Sequence, residues 1–284
     1  MSATISFTKM SGSGNDFILI DNRQAVVPRE SASELARTIC RRKISVGADG
    51  LILIEEDGEV DFAWGFFNAD GSAAEMCGNG ARCAARFAHL SGICGSRLAF
   101  RTTAGIIHAE VLDRRVKVQL TLPRHLHLDE QLELDGRRVA VHAVNTGVPH
   151  AVFLLAGERE LEHHDVVGQG RRVRFHDHFA PAGTNVNFVA VVGSRSLAVR
   201  TYERGVEDET LACGTGATAA ALVAAARGLV EPPVTIHTRG GEILTIHFRA
   251  GSGLPEEVYL EGEVRVVYQG RLWREALEPL ALPG

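Results

Sequence analysis

A Cys-Gly-x-Gly-Ala pentad occurs twice, as Cys77-Gly78-Asn79-Gly80-Ala81 and Cys213-Gly214-Thr215-Gly216-Ala217, each opening an alanine-rich stretch that reads as a helix. A chain that sets the same thiol and glycine turn before two helices is constrained to be an internal duplication. The repeat extends upstream. Gly12-Ser13-Gly14-Asn15-Asp16-Phe17 introduces the apolar run Ile18-Leu19-Ile20, and Gly183-Thr184-Asn185-Val186-Asn187-Phe188 introduces Val189-Ala190-Val191-Val192. Each half is therefore expected to hold an asparagine loop, strands and a cysteine-headed helix.

Strand signals dominate elsewhere. Alternation in Ile106–Val111, Val116–Leu120, Leu197–Tyr202 and Glu263–Tyr268 predicts sheets with one wet face. The short gap Asp113-Arg114-Arg115 predicts a hairpin and hence antiparallel pairing. Ser31-Ala32-Ser33-Glu34 reads as a capping box for an amphipathic surface helix over Leu35–Arg42. The stretch Ala217–Ala226 is apolar nearly all round, which predicts burial on every side, inside a curved sheet. Ala81–Leu90 is more polar through Arg82, Arg86 and His89, yet ends at Gly92 as the second copy ends at Gly228. The expected fold is α+β: two pseudo-symmetric domains, each a curved, mostly antiparallel half-barrel around a central buried helix. The first spans 1–122 and takes back the chain end, 269–284; the second spans 123–268.

Two domains suit a length of 284 residues. With 45% apolar residues and a net charge of -5, the chain has no basic footprint, so nucleic acid is not an expected partner. Ala217–Ala226 is too short for a membrane span, and Met1–Ile5 lacks a basic region leading into an apolar core, so a cytoplasmic protein is expected. Five cysteines, an odd number, read as free thiols. Neither a Cys-x2-Cys pair nor a histidine near either pentad favours a metal. The histidines His163, His164, His176 and His178 lie in a polar, Arg-rich connection and read as solvated side chains rather than ligands.

A thiol before a helix meets N–H groups that have no partner within the helix and carry the positive dipole end, which favours thiolate and binds anions. Glycines let a ligand approach the backbone. Two such helix heads could hold one carboxylate with a sulfur on each side. A thiolate could then remove the adjacent α-proton while a thiol delivers another to the opposite face, inverting configuration. Cys40, Cys83 and Cys94 read as inert buried residues.

Three segments, Lys9–Phe17, Asn68–Cys83 and Glu203-Arg204-Gly205 through Gly216, resemble the diaminopimelate epimerase family, and the likeness runs from about Thr8 to Tyr268. The resemblance implies conversion of L,L-diaminopimelate to the meso form without pyridoxal phosphate, metal or redox cofactor, on the route to lysine and the cell wall, by a homodimer. Lys9, Lys43 and Lys117 are the only lysines, which leaves few sites for a pyridoxal Schiff base. The resemblance makes Cys77 and Cys213 the acid/base pair and has the N–H groups around Gly78, Asn79, Gly214 and Thr215 take the α-carboxylate. Asn15, Asn68, Asn185 and Arg204 would hold the distal end of the diamino dicarboxylate. Glu203 and His150 would sit beside the thiols and set which is protonated.

The chain departs from the family at Ser11, where many members have His, and at Gly147-Val148-Pro149-His150, where Asn is common in place of Val148. Gly50 stands where some members have Gln. Asn145 is a candidate to replace the lost Val148 contact. A racemase of another amino acid, such as histidine, could share the thiols and differ at these positions. A Cys-His hydrolase or acyl transferase using Cys77 and His150 would leave the second thiol without a role.

Overall fold

The computed structural model describes residues 4–74, 76–249, 251 and 253–277. Glu75 of the first cysteine motif, the first three residues and the stretch 278–284 lie outside the described residues. The chain divides into two compact units, one running to Val118 and resuming at Glu263, the other covering Gln119–Gly262.

The first unit contains β1 (Ile5–Gly12), β2 (Asn15–Asp21), α1 (Ala32–Ile39), β3 (Gly50–Glu55), β4 (Phe62–Asn68), α2 (Gly78–Leu90), β5 (Arg97–Thr102), β6 (Gly105–Leu112), β7 (Arg115–Gln119) and the returning β17 (Arg265–Leu272). β17 pairs antiparallel with β1 from Leu272 back to Arg265, so the return begins near Glu263 rather than at 269. β6 and β7 form the expected hairpin, with Asp113 at φ 57° in its two-residue turn. β2 and β3 run parallel, as do β4 and β5, within an otherwise antiparallel set.

The parallel pair β2–β3 explains why Phe17–Ile20 and Leu51–Ile54 are unbroken apolar runs. Alternate side chains point to opposite faces of a sheet. Ile18, Ile20, Leu51 and Leu53 pack with Leu35, Ala36 and Ile39 of α1. Phe17 and Ile52 face α2 at Gly80. The central strands are thus covered on both sides.

Helix α1 also differs from its sequence reading. It starts at Ala32 after a 3-10 turn, Arg29–Ser31, and Ser31 makes no side-chain cap bond. Ser33 Oγ instead donates to the Gly71 carbonyl at 2.7 Å, and Glu34 pairs with Arg37. The Ser-x-x-Glu pattern is present, but its side chains are taken by a tertiary contact and a surface ion pair.

The second unit contains β8 (Arg124–Leu134), β9 (Arg137–Asn145), β10 (Pro149–Leu154), α3 (Glu158–His163), α4 (Val166–Arg174), β11 (Asn185–Gly193), β12 (Ser196–Glu203), β13 (Asp208–Thr210), α5 (Gly214–Ala226), β14 (Val234–Thr238), β15 (Ile243–Phe248) and β16 (Val258–Glu263). β10–β11 and β12–β14 are parallel, and the other pairings given within this unit are antiparallel. Helix α5 packs against β9, β10, β11, β12, β14 and β15, and Gly216 through Ala224 are all buried, as an all-round apolar helix requires.

The opposite face repeats the first unit's plan. Ala151, Phe153, Val186, Phe188, Ala190 and Tyr202 pack with Leu161 of α3 and Val166 and Val173 of α4. Those two short helices form within the connection expected to be only polar and solvated, because each buries an apolar residue against the sheet. The alternation along β11 then turns the intervening Asn187 toward α5.

Candidate active site

Both cysteines sit at the N-cap of their helices in the same extended conformation, φ -145° and ψ 117° for Cys77, φ -126° and ψ 111° for Cys213. Each sulfur accepts from the N–H three residues on, Gly80 at 3.5 Å and Gly216 at 3.4 Å. A sulfur thus takes the capping role that an oxygen fills in an ordinary helix start. The first-turn N–H groups at Gly78, Asn79, Gly214 and Thr215 lie at the positive end of the helix dipole. None of the five cysteines is joined in a disulfide.

In the first unit a chain of polar side chains braces the head of α2. Asp49 Oδ2 accepts from Asn15 Nδ2 at 2.9 Å, and Asn15 Oδ1 accepts from Asn79 Nδ2 at 2.8 Å. Asn79 Oδ1 accepts from Arg82 at 2.9 Å, and Arg82 also donates to Ser13 Oγ at 2.5 Å and to the Gly78 carbonyl at 3.3 Å. Arg82 is fully buried, so these charge-assisted bonds are what keep its cation in place. Behind them, Asp16 pairs with Arg42 and with buried Lys9, and their charges hold its carboxyl below the usual range against the opposing effect of burial. Asn15 and Asn79 are therefore brought together. Asn68 is exposed at the end of β4, beside Gly50, and donates to Ser72 Oγ at 3.0 Å.

The second unit surrounds Cys213 differently. Thr215 Oγ1 lies 3.4 Å from the sulfur, and the Thr215 carbonyl accepts from Thr146 Oγ1 at 3.0 Å. Burial pushes the Cys213 thiol up to about 11, with the nearby Glu203 carboxylate adding to the rise. Burial likewise raises Glu203, an effect that the Thr210 hydroxyl partly offsets. His150 is 1% exposed. Burial, assisted by the Arg204 charge, pulls it down to about 3, so it is neutral near pH 7. Asn185 accepts from the Arg204 backbone N–H at 2.8 Å and donates to the Pro149 carbonyl at 3.2 Å, tying the ends of β10 and β12 together. Arg204 Nη1 donates to the Ala182 carbonyl at 3.2 Å.

Sequence reading passed over Asp49, Arg82, Ser13, Asn187 and Thr201, whose partners lie far off in sequence. Asn187 donates to His150 Nδ1 at 3.0 Å and accepts from Thr201 at 3.0 Å, links that no local pattern marks. The departures find physical reasons. A Cβ on Gly50 would come within 2.7 Å of the Phe67 carbonyl and 2.8 Å of the Phe66 ring, so no longer residue fits there. Asn145 Oδ1 accepts from the Gly147 N–H at 2.9 Å, beside Val148. His163, His176 and His178 turn to Arg159, Glu133 and Glu130, while His164 packs 4.2 Å from the Phe188 ring.

The family model for diaminopimelate epimerase matches residues 7–126 and 142–267. The diaminopimelate epimerase of Aquifex aeolicus is 49% identical, over 96% of this chain and 100% of that protein. The Hydrogenobaculum enzyme of the same name is 49% identical, over 93% and 97%. A phenazine biosynthesis protein of the PhzF family from Bacillus anthracis superposes with a TM-score of 0.69 over 95% of this chain and 99% of that one; at 13% identity it shares the fold alone. A model matched through both units, and relatives nearly half identical from end to end, establish that the chain belongs to the diaminopimelate epimerase family of isomerases.

Proposed function

We propose that the protein converts L,L-diaminopimelate to the meso form by a cofactor-independent two-cysteine mechanism, supplying lysine and peptidoglycan precursors. The observation that carries this reading is the equivalence of the two thiols: one N-cap conformation and one N–H to sulfur bond in each unit. A hydrolase needs one nucleophile and gives no reason for the second. Acid/base inversion needs one group for each face of the α-carbon.

With its affinity for the proton raised, Cys213 is a thiol at rest and serves first as the acid. Cys77 as thiolate removes the α-proton, the electron pair passes toward the carboxylate, and Cys213 delivers its proton to the other face. Helix N–H groups stabilise the charge that builds on the carboxylate. Glu203 disfavours a lasting thiolate at Cys213, which drives its reprotonation. Proton NMR in D2O tests this with L,L-diaminopimelate beside histidine and proline. Wild type should exchange the α-hydrogen of L,L-diaminopimelate alone, and Cys77→Ala and Cys213→Ala should abolish conversion. Near-normal turnover by either variant would overturn the two-thiol mechanism. Exchange on histidine or proline instead would keep the chemistry and replace the substrate.

A further inference from the structure

The buried amide of Asn187 touches three groups of different hydrogen-bonding character. The Ala151 carbonyl, 3.1 Å away, can only accept, so the atom facing it is the NH2 nitrogen. Thr201 Oγ1 then donates to the amide oxygen at 3.0 Å. The same NH2 group lies 3.0 Å from His150 Nδ1, so that ring nitrogen faces a donor and is bare. A neutral imidazole bare at Nδ1 carries its proton on Nε2. His150 is 1% exposed, and its Nε2 is enclosed with no acceptor among the described residues. A buried N–H without an acceptor costs stability and is kept where a bound or transient group completes it.

The place of Asn187 ties this to the reaction. A Cβ built on Gly216 would overlap Asn187 Oδ1 and lie 3.2 Å from Thr201 Oγ1 and 3.3 Å from Cys213 Sγ. The residue that fixes the imidazole therefore lies against the first turn of the helix that carries the thiol.

We propose that Asn187 is a positioning residue that locks His150 as the Nε2–H tautomer, making it a neutral hydrogen-bond donor to a substrate carboxylate. In this role His150 does not accept the thiol proton. The kinetic consequence rests on the proposed reaction; the tautomer does not. Nitrogen NMR of 15N-histidine-labelled protein tests it, with His150→Gln identifying the signals by their loss. The expected signals are a bare Nδ1 and a protonated Nε2 in the substrate-free enzyme; a protonated Nδ1 would overturn the proposal. Asn187→Asp places an acceptor at Nδ1 and should shift the proton there, lowering kcat about a hundredfold with a smaller change in KM. Asn187→Ala should release the lock, showing both tautomers in exchange and an intermediate kcat. A variant with the shifted tautomer and unchanged kcat would overturn the positioning role. Movement of the Nε2 proton on adding L,L-diaminopimelate identifies a substrate carboxylate as its acceptor. If substrate does not move it, the donor role is overturned.

Discussion

Gly80 and Gly216 occupy the same position of the repeated pentad, yet alanine should be tolerated at the first and costly at the second. At Gly80 a Cβ would meet Ile52 Cδ1 at 3.3 Å and Cys77 Cβ and Phe17 Cζ at 3.6 Å, contacts that a small shift of the flexible Ile52 end relieves. Replacing glycine by alanine in a helix contributes up to about 1 kcal/mol, and less in the first turn. Gly80→Ala should therefore lie within about 1 kcal/mol of wild type. At Gly216 the added carbon would overlap Asn187 Oδ1, and Asn187 cannot yield freely because His150, Ala151 and Thr201 hold it. Overpacking costs about 1–3 kcal/mol, and each buried polar group stripped of its partner about 1–3 kcal/mol more. Gly216→Ala should thus destabilise the second unit by roughly 2–4 kcal/mol and lower its Tm by roughly 5–15 °C. Urea and thermal unfolding of both variants beside wild type measure this. Equal stability of the two variants would refute the argument that Asn187 is fixed against the head of α5.

The depressed His150 gives an acid-side prediction whose sign follows from linkage. Below about pH 6.5 the unfolded imidazole takes up a proton, while the folded one stays neutral until about 3, so stability falls as pH drops through that window. The slope is about 1.4 kcal/mol per pH unit. Between about pH 7.5 and 5, wild type should lose about 2 kcal/mol more than His150→Gln by urea unfolding, and parallel losses would contradict the neutral buried imidazole. Glu203→Gln removes the charge that adds to the burial-driven rise of the Cys213 thiol, so alkylation of Cys213 by iodoacetamide near about pH 8 should quicken roughly three- to tenfold. Peptide mass spectrometry follows the rate, and an unchanged or slower one would remove Glu203 from the thiol's environment.

Where a feature depended on neighbours along the chain, the sequence displayed it. The pentads gave both N-cap thiols, the lack of polar residues in Ala217–Ala226 gave the burial of α5, and Asp113-Arg114 gave a hairpin. What depended on distant partners was not legible. The box at Ser31–Glu34 has the right composition, but Gly71 claims Ser33 from 38 residues away. The apolar runs of β2 and β3 fit a strand buried on both faces as well as one buried on one. Only their packing on both α1 and α2 decides it. Asn187 lay inside a motif already noticed, yet its role is set by His150, 37 residues earlier on the neighbouring strand.

The duplication conserves the backbone that presents sulfur and changes what stands behind it. In the first unit the helix head is braced by Arg82, Asn79, Asn15 and Asp49, a line of groups that ends in a carboxylate and holds a buried cation one turn beyond Cys77. In the second, Asn187, His150 and Thr201 do the bracing without a charge of their own at neutral pH, and the nearby charge at the thiol is the Glu203 carboxylate. Burial, with the Glu203 carboxylate adding to it, favours the thiol at Cys213. The local sequence repeat therefore accounts for the shared geometry, and its divergence at Arg82 and Asn187 gives each helix head its own bracing.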